Sequence, residues 1–380
     1  MATHGDLVGT RIFGEYTITR KLGEGGMGAV YLARNEAIGQ EIGIKVLHGR
    51  AAESDELLQR FNREARVISM LTHPNIIRVF IFGRTEQNVV YMAMEYVKGR
   101  SLRETLSAGL LDEISIIKIM KQACSALAES HDLGIIHRDL KPDNVLLTEF
   151  RGEPNFVKVL DFGIAKIQDQ EGQQQLTQAG IVYGTPEYLS PEQAQAQPLD
   201  NRTDIYSLGV MLYEMMVGKV PFQSNSAVQV LTMHVFNEPV PAEQVAPNRI
   251  SPTMAAIIRK AMAKKPVDRF KSAMELFRAL EAREREIVNE RHIDSSAMNV
   301  PGSELTGMFM AVPTAEQMAL QPRPQAAPQP VAQVQRPQNH ATQAASPVTD
   351  PTRKVIITLI VLMVLLLIVL VTAGVALYFK

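Results

Sequence analysis

Two carboxylates and one amide stand at the ends of short apolar runs in the middle of the chain. Asp139 and Asn144 lie in His137-Arg138-Asp139-Leu140-Lys141-Pro142-Asp143-Asn144, directly before the strand-like Val145-Leu146-Leu147. Asp161 follows the strand-like run from Phe156 to Leu160 and opens Asp161-Phe162-Gly163. Asn144 and Asp161 offer the hard oxygen ligands that Mg2+ takes. Asp139 can orient an attacking hydroxyl and accept its proton.

A second group lies upstream. Leu22-Gly23-Glu24-Gly25-Gly26-Met27-Gly28-Ala29-Val30 is flanked by strand-like YTITRKL and AVYLA. Two strands joined by a glycine-dense turn can lay backbone N–H groups over phosphates. No Lys-Ser/Thr follows, which excludes a Walker A loop, and no helix follows, which argues against a dinucleotide-binding turn. By itself the segment reads equally as a glycine-rich hairpin. In Glu41-Ile42-Gly43-Ile44-Lys45-Val46-Leu47, period two puts Ile42, Ile44 and Val46 on one face and Gly43 and Lys45 on the other. The helical spacing of Phe61, Ile68 and Leu71 puts Glu64 on an apolar stripe. A carboxylate there needs a cation, and Lys45 is the candidate; the alternative is that Glu64 reaches solvent from the stripe's edge.

These groups need elements to position them. From Tyr16 to Tyr96 the pattern is mostly β with one helix; after Gly99 it is mainly helical. An α+β architecture of two lobes is predicted, with a small β-rich lobe at 16–97 and a larger helical lobe at 98–283. Residues 284–354 begin with the charged, helical EAREREIVNERH and then turn to low complexity: Gln and Pro supply 11 of the 20 residues in 321–340. Such a stretch buries too little apolar surface to fold and reads as a largely disordered juxtamembrane linker. From Val355 to Phe379 no residue is charged. As a helix this run would extend roughly 37 Å, enough to cross the ~30 Å hydrocarbon core, so a single transmembrane helix is predicted. Arg353 and Lys354 precede it and Lys380 follows, which favours a cytoplasmic position for the N-terminal part. The chain stops directly after this run, so no outer sensor domain is expected.

Lys and Arg number 39 and Asp and Glu 40 across the 380 residues, so the net charge of −1 supplies no pull toward nucleic acid. Cys124 is the single cysteine, which excludes an internal disulfide framework; its apolar surroundings read as a buried small hydrophobe.

Together, the GxGxxGxV loop, the strand lysine, the His-Arg-Asp…Asn loop and Asp-Phe-Gly make the region from Tyr16 to about Leu280 resemble a eukaryotic-type (Hanks-type) protein kinase domain. The GEGGMG loop and Asp204-Ile205-Tyr206-Ser207-Leu208-Gly209 resemble its bacterial branch; eukaryotic members commonly carry tryptophan where Tyr206 stands. The resemblance implies ATP and Mg2+, with Mn2+ as an alternative, and protein substrates. It implies that Gly23, Gly25 and Gly28 cover the phosphates, with Leu22, Glu24, Gly26 and Met27 in the same nucleotide-binding loop, and that Val30 and Gly43 flank the adenine. Glu95 and Val97 would form the hinge, with Met94 as gatekeeper. Lys45, held by Glu64, would contact the α- and β-phosphates. Asp139 would be the base, Lys141 would neutralise the γ-phosphate, and Asn144 and Asp161 would hold the metal. The Asp-x-Lys spacing resembles serine/threonine kinases. Gly184-Thr185-Pro186-Glu187-Tyr188 resembles the substrate-receiving loop, with Thr185 bonded to Asp139 and Lys141. Ser190-Pro191-Glu192 stands where Ala-Pro-Glu is usual, and Arg269 is the expected partner of Glu192.

Where Gly43 stands the family usually has alanine; the missing methyl removes roughly 0.8 kcal/mol of apolar contact with adenine. Thr177, in the polar segment IQDQEGQQQLTQAG, is the expected activating phosphorylation site, with Arg138 as the partner of its phosphate. The other readings are a pseudokinase scaffold, a small-molecule phosphotransferase and a membrane adaptor acting through the Gln/Pro linker. Pairing of two chains through the inner-membrane helix is a further expectation, on sparse small residues (Ala373, Gly374, Ala376).

Overall fold

The computed structural model describes residues 7–12, 15–25, 28–47, 68–84, 89–162 and 185–298. The first lobe is a six-stranded antiparallel sheet in the order β1-β2-β3-β4-β6-β5. Its strands are β1 Arg11–Ile12, β2 Tyr16–Gly25, β3 Gly28–Asn35, β4 Glu41–Leu47, β5 Val79–Arg84 and β6 Val90–Glu95. One face packs around Ile18, Tyr31, Ile42, Ile44 and Val46, all buried. This is the alternation that period two predicts for β4, and it leaves Lys45 on the opposite face.

The second lobe opens with a three-stranded sheet of β7 Arg100–Ser101, β8 Val145–Phe150 and β9 Glu153–Val159. Its helices, in chain order, are α1 Leu102–Ala108, α2 Glu113–Asp132, α3 Pro191–Ala194, α4 Arg202–Val217, α5 Ala227–Phe236, α6 Ala242–Val245, α7 Pro252–Ala261 and α8 Ala273–Met298. α4 is buried around almost its whole circumference, from Thr203 to Met216, so it is the axis on which the lobe is built. Its Gly209 allows close approach: a β-carbon there would come within 2.8 Å of Ala261 Cβ on α7. Cys124 on α2 is fully buried, and burial pushes its thiol up out of reach of ionisation.

Two boundaries differ from the sequence expectation. Residues N-terminal to Tyr16 also fold: Ile12 pairs with Tyr16 across β1–β2 and enters the core. At the other end, the boundary read at 283/284 falls inside α8. Arg283 is buried and bonded to Glu113 of α2 at 2.9 Å, to Glu286 at 3.1 Å and to Glu290 at 3.0 Å. Glu284 pairs with Lys121 at 2.8 Å. The charged run is therefore the second half of a packed helix. Among the described residues no helix is long and apolar enough to cross a membrane. The predicted span 355–379, like Gly26, Met27, Glu64, Gly163, Thr177 and Gly184, lies outside the described residues.

Candidate active site

β2 and β3 bring the glycine loop together: Gly23 lies opposite Val30, and Gly25 opposite Gly28. Leu22 and Glu24 are exposed, while Val30 is half-buried against the larger core. Across β3–β4, Val30 pairs with Lys45; across β4–β6, Gly43 pairs with Met94. Met94 is buried, and Val97 is half-buried against the same core. Glu95 is fixed from both sides. Its N–H donates to Arg78 O at 2.8 Å, and its carboxylate takes Lys158 Nζ of β9 at 2.9 Å. The end of β6, the expected hinge, is thereby tied to the strand that leads to Asp161.

Lys45 does reach a carboxylate, and it is Asp161: Nζ to Oδ2 is 2.7 Å. The expected partner Glu64 lies outside the described residues, but the neighbours Ile68 and Leu71 that defined its stripe are both buried. The pair with Asp161 crosses from the first lobe's sheet to the end of β9. Asp161 holds φ +50°, in the left-handed region that costs a non-glycine residue energy.

The loop from His137 to Asn144 has the same kind of strain at Arg138, φ +64°. Asp204, in the first turn of α4, holds it. Its buried carboxylate accepts from His137 N at 2.8 Å, Arg138 N at 2.9 Å and His131 Nε2 at 2.8 Å. Burial alone would push this carboxyl up, but those bonds and the nearby histidines hold it below the ordinary aspartate range. His137 is itself buried and bridges two peptides. Nδ1 faces Asp139 N at 3.3 Å and Nε2 faces Leu160 O at 2.7 Å. An N–H on one side and a carbonyl on the other set the tautomer: Nδ1 accepts and Nε2 carries the proton.

Asp139, so placed, takes Lys141 Nζ at 3.2 Å and Asn144 Nδ2 at 3.1 Å on Oδ2; Asn144 Nδ2 also donates to Asp139 O at 2.7 Å. With the amide nitrogen committed, Asn144 has its oxygen to offer a cation. β8–β9 pairing sets Val145 opposite Val159, and Leu160 N bonds Asn144 O at 2.9 Å. Asn144 and Asp161 therefore sit at one end of one hairpin. Among the described residues no group of three or more His, Cys, Asp or Glu is placed to hold a metal. Two oxygens at one end of a hairpin make an open site for a divalent cation rather than a closed structural one.

The segment expected to receive substrate begins, among the described residues, at Thr185, the cap residue of a short 3-10 turn Pro186–Tyr188; its hydroxyl does not cap that turn. Tyr188 is buried and donates to Glu214 at 2.5 Å. Arg103 of α1 bonds both, reaching Glu214 at 2.7 Å, and lies 3.5 Å from Asp143 of the catalytic loop. Beyond the turn, Glu192 and Arg269 meet as expected, in a two-pronged bond of 2.7 and 2.8 Å, and both are buried. Thr203 Oγ1 adds a bond to Glu192 at 2.8 Å. Desolvation opposes ionisation of Glu192, but the guanidinium prevails and keeps its carboxyl below the ordinary range.

Asp204, His137, Arg103 and Gln193 were not singled out from the sequence. Asp204 carried a signal: a carboxylate in the first turn of a helix buried around almost its whole circumference must have polar partners. The others act through backbone groups or distant side chains, which spacing does not reveal.

A model of the protein kinase domain matches residues 16–279. The chain is 44% identical over 305 residues to serine/threonine-protein kinase pkn3 of Myxococcus xanthus, covering 78% of this chain and 56% of that protein. It is 38% identical over 271 residues to serine/threonine-protein kinase PrkC of Bacillus subtilis, covering 71% and 40%. It thus spans about half or less of these curated relatives. The solved kinase domain of Mycobacterium tuberculosis PknI superposes with a TM-score of 0.57 at 26% identity, over 73% of this chain and 99% of that one. The chain belongs to the protein kinase domain family.

Proposed function

We propose that the chain is an ATP-dependent serine/threonine protein kinase. The observation that carries this reading is the meeting of Lys45, from within β4, with Asp161 beyond β9, and of Asp139 with Lys141 and Asn144 at the mouth of the β8–β9 hairpin. Asp139 orients the acceptor hydroxyl and takes its proton as the oxygen attacks. Lys141, already beside Asp139, offsets charge on the transferred phosphoryl group. Lys45 holds the α- and β-phosphates, and the backbone of Gly23, Gly25 and Gly28 covers them. Asn144 and Asp161 would hold a divalent cation, for which Mg2+ suits the oxygen pair, and it would supply neutralisation of phosphate charge. When nucleotide enters, the bond between Lys45 and Asp161 opens, freeing each for its own ligand.

The finer parts of this reading are the switch and the anchor. Phosphate on Thr177 would add about −1.5 to −2 charge for Arg138 to pair. The apolar run 355–379 would hold the kinase at the membrane, with its catalytic domain on the cytoplasmic side, where local concentration favours phosphorylation of one chain by another.

The test is phosphate transfer by the full chain in detergent, with phosphosite mapping. Asp139→Asn should lower kcat at least about 1,000-fold while nucleotide still binds, because only the base is lost. Native-like turnover by this variant would remove Asp139 from the role, and absence of transfer by the unaltered chain would favour a scaffold. Thr177→Ala should lose most activation on preincubation with ATP. A chain ending at Met298 should leave the alkali-resistant membrane fraction that the full chain occupies; if both behave alike, the anchor is wrongly assigned.

A further inference from the structure

The departure Ser190-Pro191-Glu192-Gln193 has a consequence beyond local capping. Ser190 Oγ accepts from Gln193 N at 3.2 Å, and Gln193 Oε1 accepts from Ser190 N at 3.1 Å. This reciprocal pair is a capping box. It also fixes which way the Gln193 amide faces: with Oε1 held by an N–H, Nε2 is directed at Arg138 O and donates to it at 2.7 Å.

That carbonyl belongs to the peptide joining Arg138 to Asp139. The N–H of the same peptide is held by His137 Nδ1, and His137 Nε2 donates to Leu160 O, the carbonyl of the peptide before Asp161. One hydrogen-bonded chain therefore runs from the substrate-platform helix α3, through the peptide that carries Asp139, to the peptide that carries Asp161. Arg138 sits in the left-handed region, where an unrestrained non-glycine residue would relax and rotate this peptide. Asp204 holds the N–H of Arg138 itself, in the preceding peptide, and Gln193 holds the Arg138 carbonyl.

We propose that Gln193 is a positioning residue for phosphoryl transfer: its side-chain amide sets the orientation of the peptide that presents Asp139 and couples it to the helix behind the substrate-receiving turn. The proposal rests on the reading of Asp139 as the base. Asp139 is 16% exposed in its side chain, so a small rotation of its backbone moves the carboxylate relative to the acceptor hydroxyl, and such misplacement lowers rate by about ten- to a hundred-fold.

Gln193→Glu is the informative variant. It keeps the chain length and the acceptor for Ser190 N but sets an anionic oxygen against Arg138 O. With dephosphorylated casein as acceptor, kcat at pH 8 should fall about ten-fold or more, with KM for ATP within about two-fold of native. As pH falls toward 5, the introduced carboxyl gains a proton and can again donate to Arg138 O. The ratio of variant to native kcat should therefore rise. Ser190→Ala, which leaves Ser190 N in place, should cost less than Gln193→Glu. A second measurement needs no turnover: amide hydrogen exchange over residues 136–144 in the full chain should quicken in Gln193→Glu, with α4 and α8 unchanged. Native kcat together with unchanged exchange at 136–144 would overturn the proposal, as would a loss that is independent of pH and spread over the whole lobe. Failure of the unaltered chain to transfer phosphate would count against the kinase reading instead, and the exchange result would still decide the role of Gln193.

Discussion

A β-carbon built on Gly43 would stand 3.3 Å from Met94 Cγ and 3.7 Å from Glu95 O. The missing methyl thus faces both the adenine side of β4 and the residue read as gatekeeper. Met94 is unbranched and can give by a few tenths of an ångström, so Gly43→Ala should be accepted. It should lower KM for ATP by up to about four-fold, the ratio that roughly 0.8 kcal/mol of added apolar contact allows. A raised KM would mean that Met94 cannot yield. Arg269→Lys should behave differently. The guanidinium serves Glu192 with two bonds and three backbone carbonyls, Ala263, Arg202 and Lys264, at 2.7 to 3.0 Å. An ammonium cannot reproduce that fork. Leaving Glu192 poorly paired in the interior should cost about 3 kcal/mol, read as a lower urea midpoint. Glu192 and Arg269 are legible from the sequence because the resemblance to the kinase family implies their pairing at these motif positions. Asp204 and Gln193 are not, because the bonds that tie them to the catalytic loop go to backbone groups of residues more than fifty positions away.

At the scale of elements, period-two alternation identifies β4, while β1 carries too few residues, two, to show any period. The second half of α8 was read as a tail because its sequence is mostly charged. Its packing uses that charge: Glu284 on Lys121, and Glu286 and Glu290 on the buried Arg283, with Ile287 only 6% exposed. Ending the chain at Arg283 therefore removes a buried isoleucine and three carboxylate partners. Relative to a chain ending at Met298, the loss should be about 2–3 kcal/mol, mostly from Ile287, since the more exposed ion pairs contribute little. For a domain of this size that is a fall of roughly 4–12 °C in thermal midpoint. Equal midpoints would show that the second half of α8 is dispensable to the lobe.

For the molecule as a whole, buried titratable groups predict how the fold meets acid. His234 is buried between Tyr206, whose hydroxyl lies 2.8 Å from Nδ1, and Phe222, with Lys264 bonded to its backbone carbonyl at 2.9 Å. Desolvation first, and then the Lys264 charge, lower its pKa from 6.5 to about 4. The folded chain therefore keeps His234 neutral at a pH where the unfolded chain has already bound a proton. Stability from this group is complete above pH 6.5, falls as pH drops, and levels off near the folded value of about 4. The largest loss is roughly 3 kcal/mol. Glu192 and Asp204 shift in the same direction, but from ordinary values of 4.5 and 3.8, so their losses begin at lower pH. The two windows can be separated. Thermal midpoints followed by circular dichroism, which suits a chain without tryptophan, should decline between pH 6.5 and 4.5 in the native protein. The decline should be shallower in His234→Gln, which keeps a partner for Tyr206 but cannot titrate. An equal slope in both proteins would assign the acid sensitivity to the carboxylates alone. A shallower one would make the contact between α4 and α5, where Tyr206 meets His234, the first part of the lobe that acid weakens.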